Sequence, residues 1–196
     1  MGDEAVRERY HHGDTPAALL GAVETIVREK GVEAVTIRAA AKAIGVSHAA
    51  AFRHFADKRA LLTAFATRCA GELAEYMERE VAGVADSRIA FYRAGVGYIR
   101  FALDRPGAFR AVFRDALLDT DDTDYCAAMA RLELLLLGGT PQSERKELPP
   151  PALLAWGATH GLATLAADGA LSDLPPASRS IEGLATALAL LSKSLV

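Results

Sequence analysis

The chain has 196 residues, 51% of them hydrophobic, enough to bury a core of its own. It is acidic overall, with a formal net charge of -3; two cysteines are too few for a disulfide framework, and no apolar run is long enough to span a membrane. Abundant Ala and Leu without alternating Val, Ile and Thr predict an all-α protein of about nine helices. The polar start M-G-D-E-A-V-R-E-R-Y has no signal-peptide pattern, so the expected compartment is the cytoplasm, with Cys69 and Cys126 as reduced core residues.

Residues 1–14 read as a flexible basic arm in which Arg7 and Arg9 are candidates for a minor groove; Glu4 and Glu8 oppose that role, and a disordered tail is the alternative. The adjacent His11 and His12 lack a third ligand nearby, so no metal is expected there. Thr15 caps the first helix, Pro16 suits its first position, Leu19, Leu20, Val23, Ile26 and Val27 recur at helical spacing, and Gly31 ends it. Thr36 is an N-cap for a helix over 37–43. Ile44-Gly45-Val46 breaks the pattern, and Ser47 opens a second short helix over 47–54. Two short helices joined by a tight glycine turn form a helix-turn-helix unit, or an ordinary helical hairpin. The flanks favour the first reading: residues 36–60 hold five cations (Arg38, Lys42, Arg53, Lys58, Arg59) against one acid, Asp57, a local charge of +4 on an acidic chain. Ala49, Ala50 and Ala51 are small enough to let the helix backbone approach base edges, and Phe52 and Phe55 read as anchors. Asp57 caps a long helix over 57–81. Lys58 and Arg59 in its first turn oppose the helix dipole, which either phosphate or a solvated charged end would account for.

These residues carry a resemblance. Gly31, Thr36-Ile37-Arg38, Gly45-Val46-Ser47, Phe52-Arg53-His54-Phe55 and Lys58-Arg59-Ala60-Leu61-Leu62 reproduce, without a gap, the DNA-binding pattern of the TetR family of transcriptional regulators, and residues 15–80 resemble its N-terminal domain. The resemblance implies double-stranded operator DNA as a partner, with Ser47, His48, Ala49 and Ala50 at the bases, Thr36, Arg53, His54 and Lys58 at phosphates, and Arg38 at either. Phe52 stands where the family usually has a tyrosine whose hydroxyl reaches a phosphate, so that contact is in doubt here.

The expected organisation is a helix-turn-helix domain over 15–60, a connecting helix over 61–86 and a helical ligand-binding and dimerisation domain over 87–196. In the last, helices are expected over 88–103, 108–117, 125–137, 150–167 and 176–195, with an acidic capping loop over 119–124 and a polar loop over 140–148. Gly95 and Gly97 fall mid-helix, where close packing or room for a ligand would explain them. The last two helices carry apolar residues beyond one stripe, including Leu153, Leu154, Trp156, Leu165, Leu184, Leu188 and Leu191, which predicts a homodimer through a four-helix interface. Trp156-Gly157-Ala158-Thr159-His160-Gly161 resembles the W-x-x-x-H-G signature of a subset of TetR-like regulators, as do Tyr10-His11-His12-Gly13-Asp14 and the stretch from Arg105 to Arg110.

The function expected is a ligand-responsive repressor that binds a palindromic operator as a homodimer. The candidate ligand residues are Phe91, Tyr98, Phe101, Phe109, Phe113, Trp156 and His160, an aromatic set with few polar groups that suits a small hydrophobic effector; the alternative is that the rings fill the core. No nucleophile elbow, paired catalytic carboxylates, phosphate loop or zinc spacing is present, so no enzyme and no cofactor are expected; a helical adaptor or an enzyme on this fold is the competing reading.

Overall fold

A computed structural model describes residues 15–136 and 150–194. The basic arm, the loop over 140–148, Leu195 and the side chain of Leu191 lie outside what is described. The described residues form ten α-helices and no strand: α1 (Thr15–Lys30), α2 (Ile37–Ala43), α3 (His48–Phe52), α4 (Lys58–Val81), α5 (Ser87–Asp104), α6 (Pro106–Val112), α7 (Thr123–Leu136), α8 (Pro150–Ala167), α9 (Pro176–Arg179) and α10 (Ile181–Ser194). Single 3-10 turns follow α1 (Val32–Ala34) and α6 (Asp115–Leu117).

Local chemistry sets most of these ends. Thr36 accepts from the Ala39 amide at 3.0 Å, Ser47 from Ala50 at 3.1 Å and Asp57 from Ala60 at 2.8 Å, so α2, α3 and α4 each start on a side-chain cap. Asp86 caps α5 through the Arg88 and Ile89 amides, and Asp122 caps α7 through Asp124 and Tyr125, which gives the acidic loop its structural use. Gly45 takes φ +71° at the α2–α3 turn, a conformation that any larger side chain adopts at a cost.

Three boundaries differ from expectation. α3 has five residues, continued by single bonds from the His54 and Phe55 amides to the Ala51 carbonyl. α6 begins at Pro106, immediately after Arg105 breaks from α5, and its expected C-terminal end is a 3-10 turn. The helix expected over 176–195 is broken at Ser180, which is extended and whose Oγ accepts from the Gly183 amide at 3.2 Å. Gly183 permits the break: a Cβ there would lie 2.1 Å from the Ala177 carbonyl oxygen.

α4 runs through the middle, packing on α1 at one end and on α5, α6 and α7 along its length. Leu61, Leu62, Phe65, Cys69, Leu73 and Met77 of α4 are all at most 1% exposed and join one core that runs from Leu19 and Val23 of α1 to Leu184 and Leu188 of α10. Gly97 of α5 crosses α4 so closely that a Cβ would meet the Met77 Cα and the Tyr76 carbonyl oxygen at 2.7 Å, and Gly95 faces Leu188 and Thr159. Close helix approach therefore accounts for both glycines. Cys69 is buried, and burial pushes its thiol up to about 12. Cys126, expected in the core, is exposed, because the start of α7 lies at the surface; both thiols are free.

Candidate nucleic-acid interface and aromatic cluster

The turn between α2 and α3 is held from beneath by Ile44 and Val46, both half-buried against the core, and by the Val46 amide bonding the Ala41 carbonyl at 3.0 Å. Ala51 is fully buried and seats α3 on α2, so it is not among the exposed small residues as expected from sequence. His48 and Ala49 are exposed and Ala50 is half-buried. Thr36, Arg38, Lys42, Ser47, Arg53, His54 and Arg59 are exposed as well, so the expected cations of α2, of the end of α3 and of the start of α4 are open to solvent. Thr36 and Ser47 are engaged as caps, but a hydroxyl that accepts an amide keeps its own O–H to donate.

Two expected residues sit differently. Phe55 is half-buried against the core and acts as an anchor. Phe52 is 42% exposed and is no anchor; its ring stands edge-on to the His48 imidazole, centroids 4.4 Å apart and planes at 85°. The two are four residues apart, hence on one helix face. Lys58 is half-buried and its ammonium donates to the Glu33 carbonyl at 3.0 Å, tying the start of α4 to the turn after α1. An ammonium has three donors, so this bond leaves capacity for a phosphate.

The aromatic residues of the second half fall into two groups. Tyr98, Phe109, Phe113, His160 and Trp156 form a connected cluster: Tyr98 meets Phe109 at 5.4 Å, Phe109 meets Phe113 at 5.1 Å, Phe113 meets His160 at 4.9 Å and Trp156 stacks on His160 at 6.0 Å. Phe101 lies apart, edge-on to Tyr76 of α4 at 5.3 Å, and Phe91 is half-buried with no ring partner in the cluster. Within the cluster the Tyr98 hydroxyl lies 2.8 Å from His160 Nδ1. Tyr98 is wholly buried and burial pushes its pKa far up, so it keeps its proton. Among the described residues His160 is its hydrogen-bond partner, so Tyr98 donates to Nδ1 and the imidazole proton sits on Nε2. Burial also lowers the His160 pKa, which keeps the ring neutral. Trp156 is 40% exposed, so the cluster runs from the core to the surface of α8.

α6 lies between the two regions. Phe109 and Phe113, at its end, belong to the cluster, while a Cβ on Gly107 would meet Val27 of α1 at 3.0 Å. Arg105, at its start, pairs with Glu24 of α1 and Glu72 of α4, and Arg68 pairs with the same two carboxylates. Arg114, just past α6, meets Glu33 at 3.0 Å, next to the carbonyl that holds Lys58. Arg68 and Glu72 stand at the i,i+4 spacing of one helix, but the pairs Arg105–Glu24 and Arg114–Glu33 escape sequence reading, since residues 81 positions apart show no pattern that links them.

A family model described as "Bacterial regulatory proteins, tetR family" matches residues 19–65, and one described as "Tetracyclin repressor-like, C-terminal domain" matches residues 91–188, half of the chain. The chain belongs to the TetR family. Its matches therefore cover both the helix-turn-helix and the helical half that carries the aromatic cluster. Similar solved structures of TetR-like fold extend over nearly the whole chain. A protein with unknown function from Rhodococcus sp. RHA1 is 28% identical with a TM-score of 0.73, over 95% of this chain and 98% of that one. A TetR family transcription regulator from Marinobacter aquaeolei VT8 is 20% identical with a TM-score of 0.69, over 92% and 94%. The TetR family transcriptional regulator PfmR from Thermus thermophilus is 22% identical with a TM-score of 0.61, over 89% and 97%. No curated protein matches significantly. TetR-family regulators bind DNA, and the residues matched by the first family model, 19–65, include α2 and α3.

Proposed function

We propose that this TetR-family protein is a homodimeric repressor that binds a palindromic operator through α2 and α3 and is released by a small apolar effector. The observation that carries the DNA half is that Arg38, Lys42, Arg53 and Arg59, on α2 and on the flanks of α3, are all exposed, beside a short capped helix whose Ala49 backbone is open to approach. Such a surface meets phosphates with its cations while the helix enters the major groove. Ser47, His48, Ala49 and Ala50 are assigned to the bases, and Thr36, Arg38, Arg53, His54 and Lys58 to the backbone.

The dimer is supported by α8, which buries Ala155, Thr159, Ala163 and Ala167 on its inner face and leaves Leu153, Leu154, Trp156 and Leu165 between 40% and 51% exposed on the outer one. Leu190 of α10 adds 62% exposure. An apolar surface of this kind asks for a partner, and a second copy of α8 and α10 supplies it with two-fold symmetry. The two copies of α3 would then meet successive major grooves about 34–36 Å apart.

The effector reading is supported by the cluster of Tyr98, Phe109, Phe113, His160 and Trp156, with one polar handle, the Tyr98–His160 pair, in apolar surroundings. The W-x-x-x-H-G run supplies His160, which meets the other four rings, and Trp156 at the exposed end of the cluster; the motif itself is the basis for assigning the chain to that subset. α6 gives the route: moving Phe109 or Phe113 moves the helix that touches α1 and holds Arg105. On this reading no residue has a catalytic role, and the protein works with DNA in the cytoplasm.

The test is titration of DNA upstream of its own gene with the pure protein, by fluorescence anisotropy. The expected result is tight binding that falls steeply with salt, one dimer per site, and release by hydrophobic compounds that also quench Trp156. Operator DNA must weaken effector binding by the same factor. A monomer at micromolar concentration, tight on a single half-site, would remove the dimer; quenching of Trp156 without any change in operator affinity would remove the switch.

A further inference from the structure

The outward surface of α3 presents one imidazole, two alanine methyls and a phenyl ring. Its sequence, H-A-A-A-F, contains no Arg, Lys, Asn or Gln, the side chains that read guanine and adenine by paired hydrogen bonds. The neighbouring cations, Arg38 and Lys42 on α2 and Arg53 beyond the end of α3, flank the helix. Phe52 is therefore the largest side chain that α3 offers to a groove. Folding does not need it outside: Phe55 supplies the anchor and Ala51 the seat, while Phe52 stays 42% exposed. Nor is its ring loose, because the His48 imidazole meets it edge-on at 4.4 Å from the same face.

The major-groove edge has one apolar feature, the C5 methyl group of thymine. We propose that Phe52, steadied by His48 and assisted by the Ala49 methyl, reads thymine methyl groups, so that base recognition by this protein is carried mainly by apolar contact. The proposal rests on the DNA-binding reading of α2 and α3.

The test begins with duplexes selected from a random pool by the full-length protein. Each thymine of the best duplex is then replaced by deoxyuridine, which removes the methyl and leaves every hydrogen-bonding group in place. Burying one methyl is worth about fourfold in affinity, so a symmetric pair of replacements should cost about fifteenfold. At the sensitive position, exchange to a C·G pair should lose affinity and 5-methylcytosine should recover part of it, since its methyl occupies the same place. Phe52→Ala should weaken the thymine duplex and erase the difference between thymine and deoxyuridine, with the salt slope unchanged. Phe52→Tyr, which restores a hydroxyl on the same ring, checks the alternative placement against a phosphate.

Deoxyuridine duplexes bound as tightly as thymine ones, while binding stays specific and salt-dependent, would overturn the proposal and leave DNA binding intact. So would a Phe52→Ala protein that loses affinity equally for both duplexes, or a Phe52→Tyr protein that gains affinity for every sequence and binds thymine and deoxyuridine duplexes alike; either result takes the ring off the methyl groups. Failure of the wild-type protein to enrich any duplex would instead remove the DNA-binding reading, and this proposal with it.

Discussion

Two residues, Lys58 and His160, each combine a structural bond with a proposed functional one. Lys58 holds the Glu33 carbonyl, so Lys58→Ala is expected to cost about 1 kcal/mol of stability as well as DNA affinity. Arg53 is exposed and free of such a bond among the described residues, so Arg53→Ala separates the effects: affinity for all sequences falls, the salt slope drops by about 1, and the melting temperature stays. An unchanged slope would remove Arg53 from the phosphates. His160 Nδ1 accepts a hydrogen bond from the Tyr98 hydroxyl. His160→Phe should cost about 1–3 kcal/mol, because the Tyr98 hydroxyl is left buried without a partner, and adding Tyr98→Phe should recover most of that loss in urea unfolding. The pH dependence has a definite sign. Burial lowers the folded pKa of His160 below its unfolded value of about 6.5, so the unfolded state binds the proton first. Above pH about 6.5 the group contributes nothing to the pH dependence; below it, stability falls as pH falls through the window down to the folded pKa. The His160→Phe protein should lack that share of the decline.

At the scale of elements, glycines and leucines that look alike in sequence have opposite roles. Gly97→Ala forces a Cβ against α4 backbone and should cost about 1–3 kcal/mol, whereas Gly21→Ala, mid-helix in α1 with open space around it, should add about 0.5–1 kcal/mol. Chemical denaturation of both variants checks the pair. Among leucines, periodicity places Leu184 and Leu188 in the dimer seam, yet they are 3% and 5% exposed within one chain. Leu188→Asp should therefore unfold the protomer, while Leu165→Asp and Leu190→Asp should give folded monomers by sedimentation; dimers that persist in both would place the seam elsewhere. The capped starts of α2, α3 and α4 were legible in sequence because Thr36, Ser47 and Asp57 act on amides three residues away. What was not legible depends on distant partners: the fold of α9 back over Gly183, the outward turn of Phe52, and the split of Phe101 from the other rings toward Tyr76.

At the scale of the molecule, the core that α4 shares with both halves contains a chemical clock. Cys69 sits midway along α4, fully buried, with its thiol held at about 12, while Cys126 lies open at the surface of α7. Thiolate is the reacting form, so a disulfide reagent at pH about 8 should modify Cys126 at once and Cys69 only when α4 parts from its neighbours. With Cys126→Ser the slow phase stands alone, and its rate measures that opening directly. An effector that stiffens the aromatic cluster should slow it, and operator DNA should slow it as well, although neither ligand touches the sulfur. Mass spectrometry of the two sites against time would then time the events in the centre of the molecule from the added mass alone.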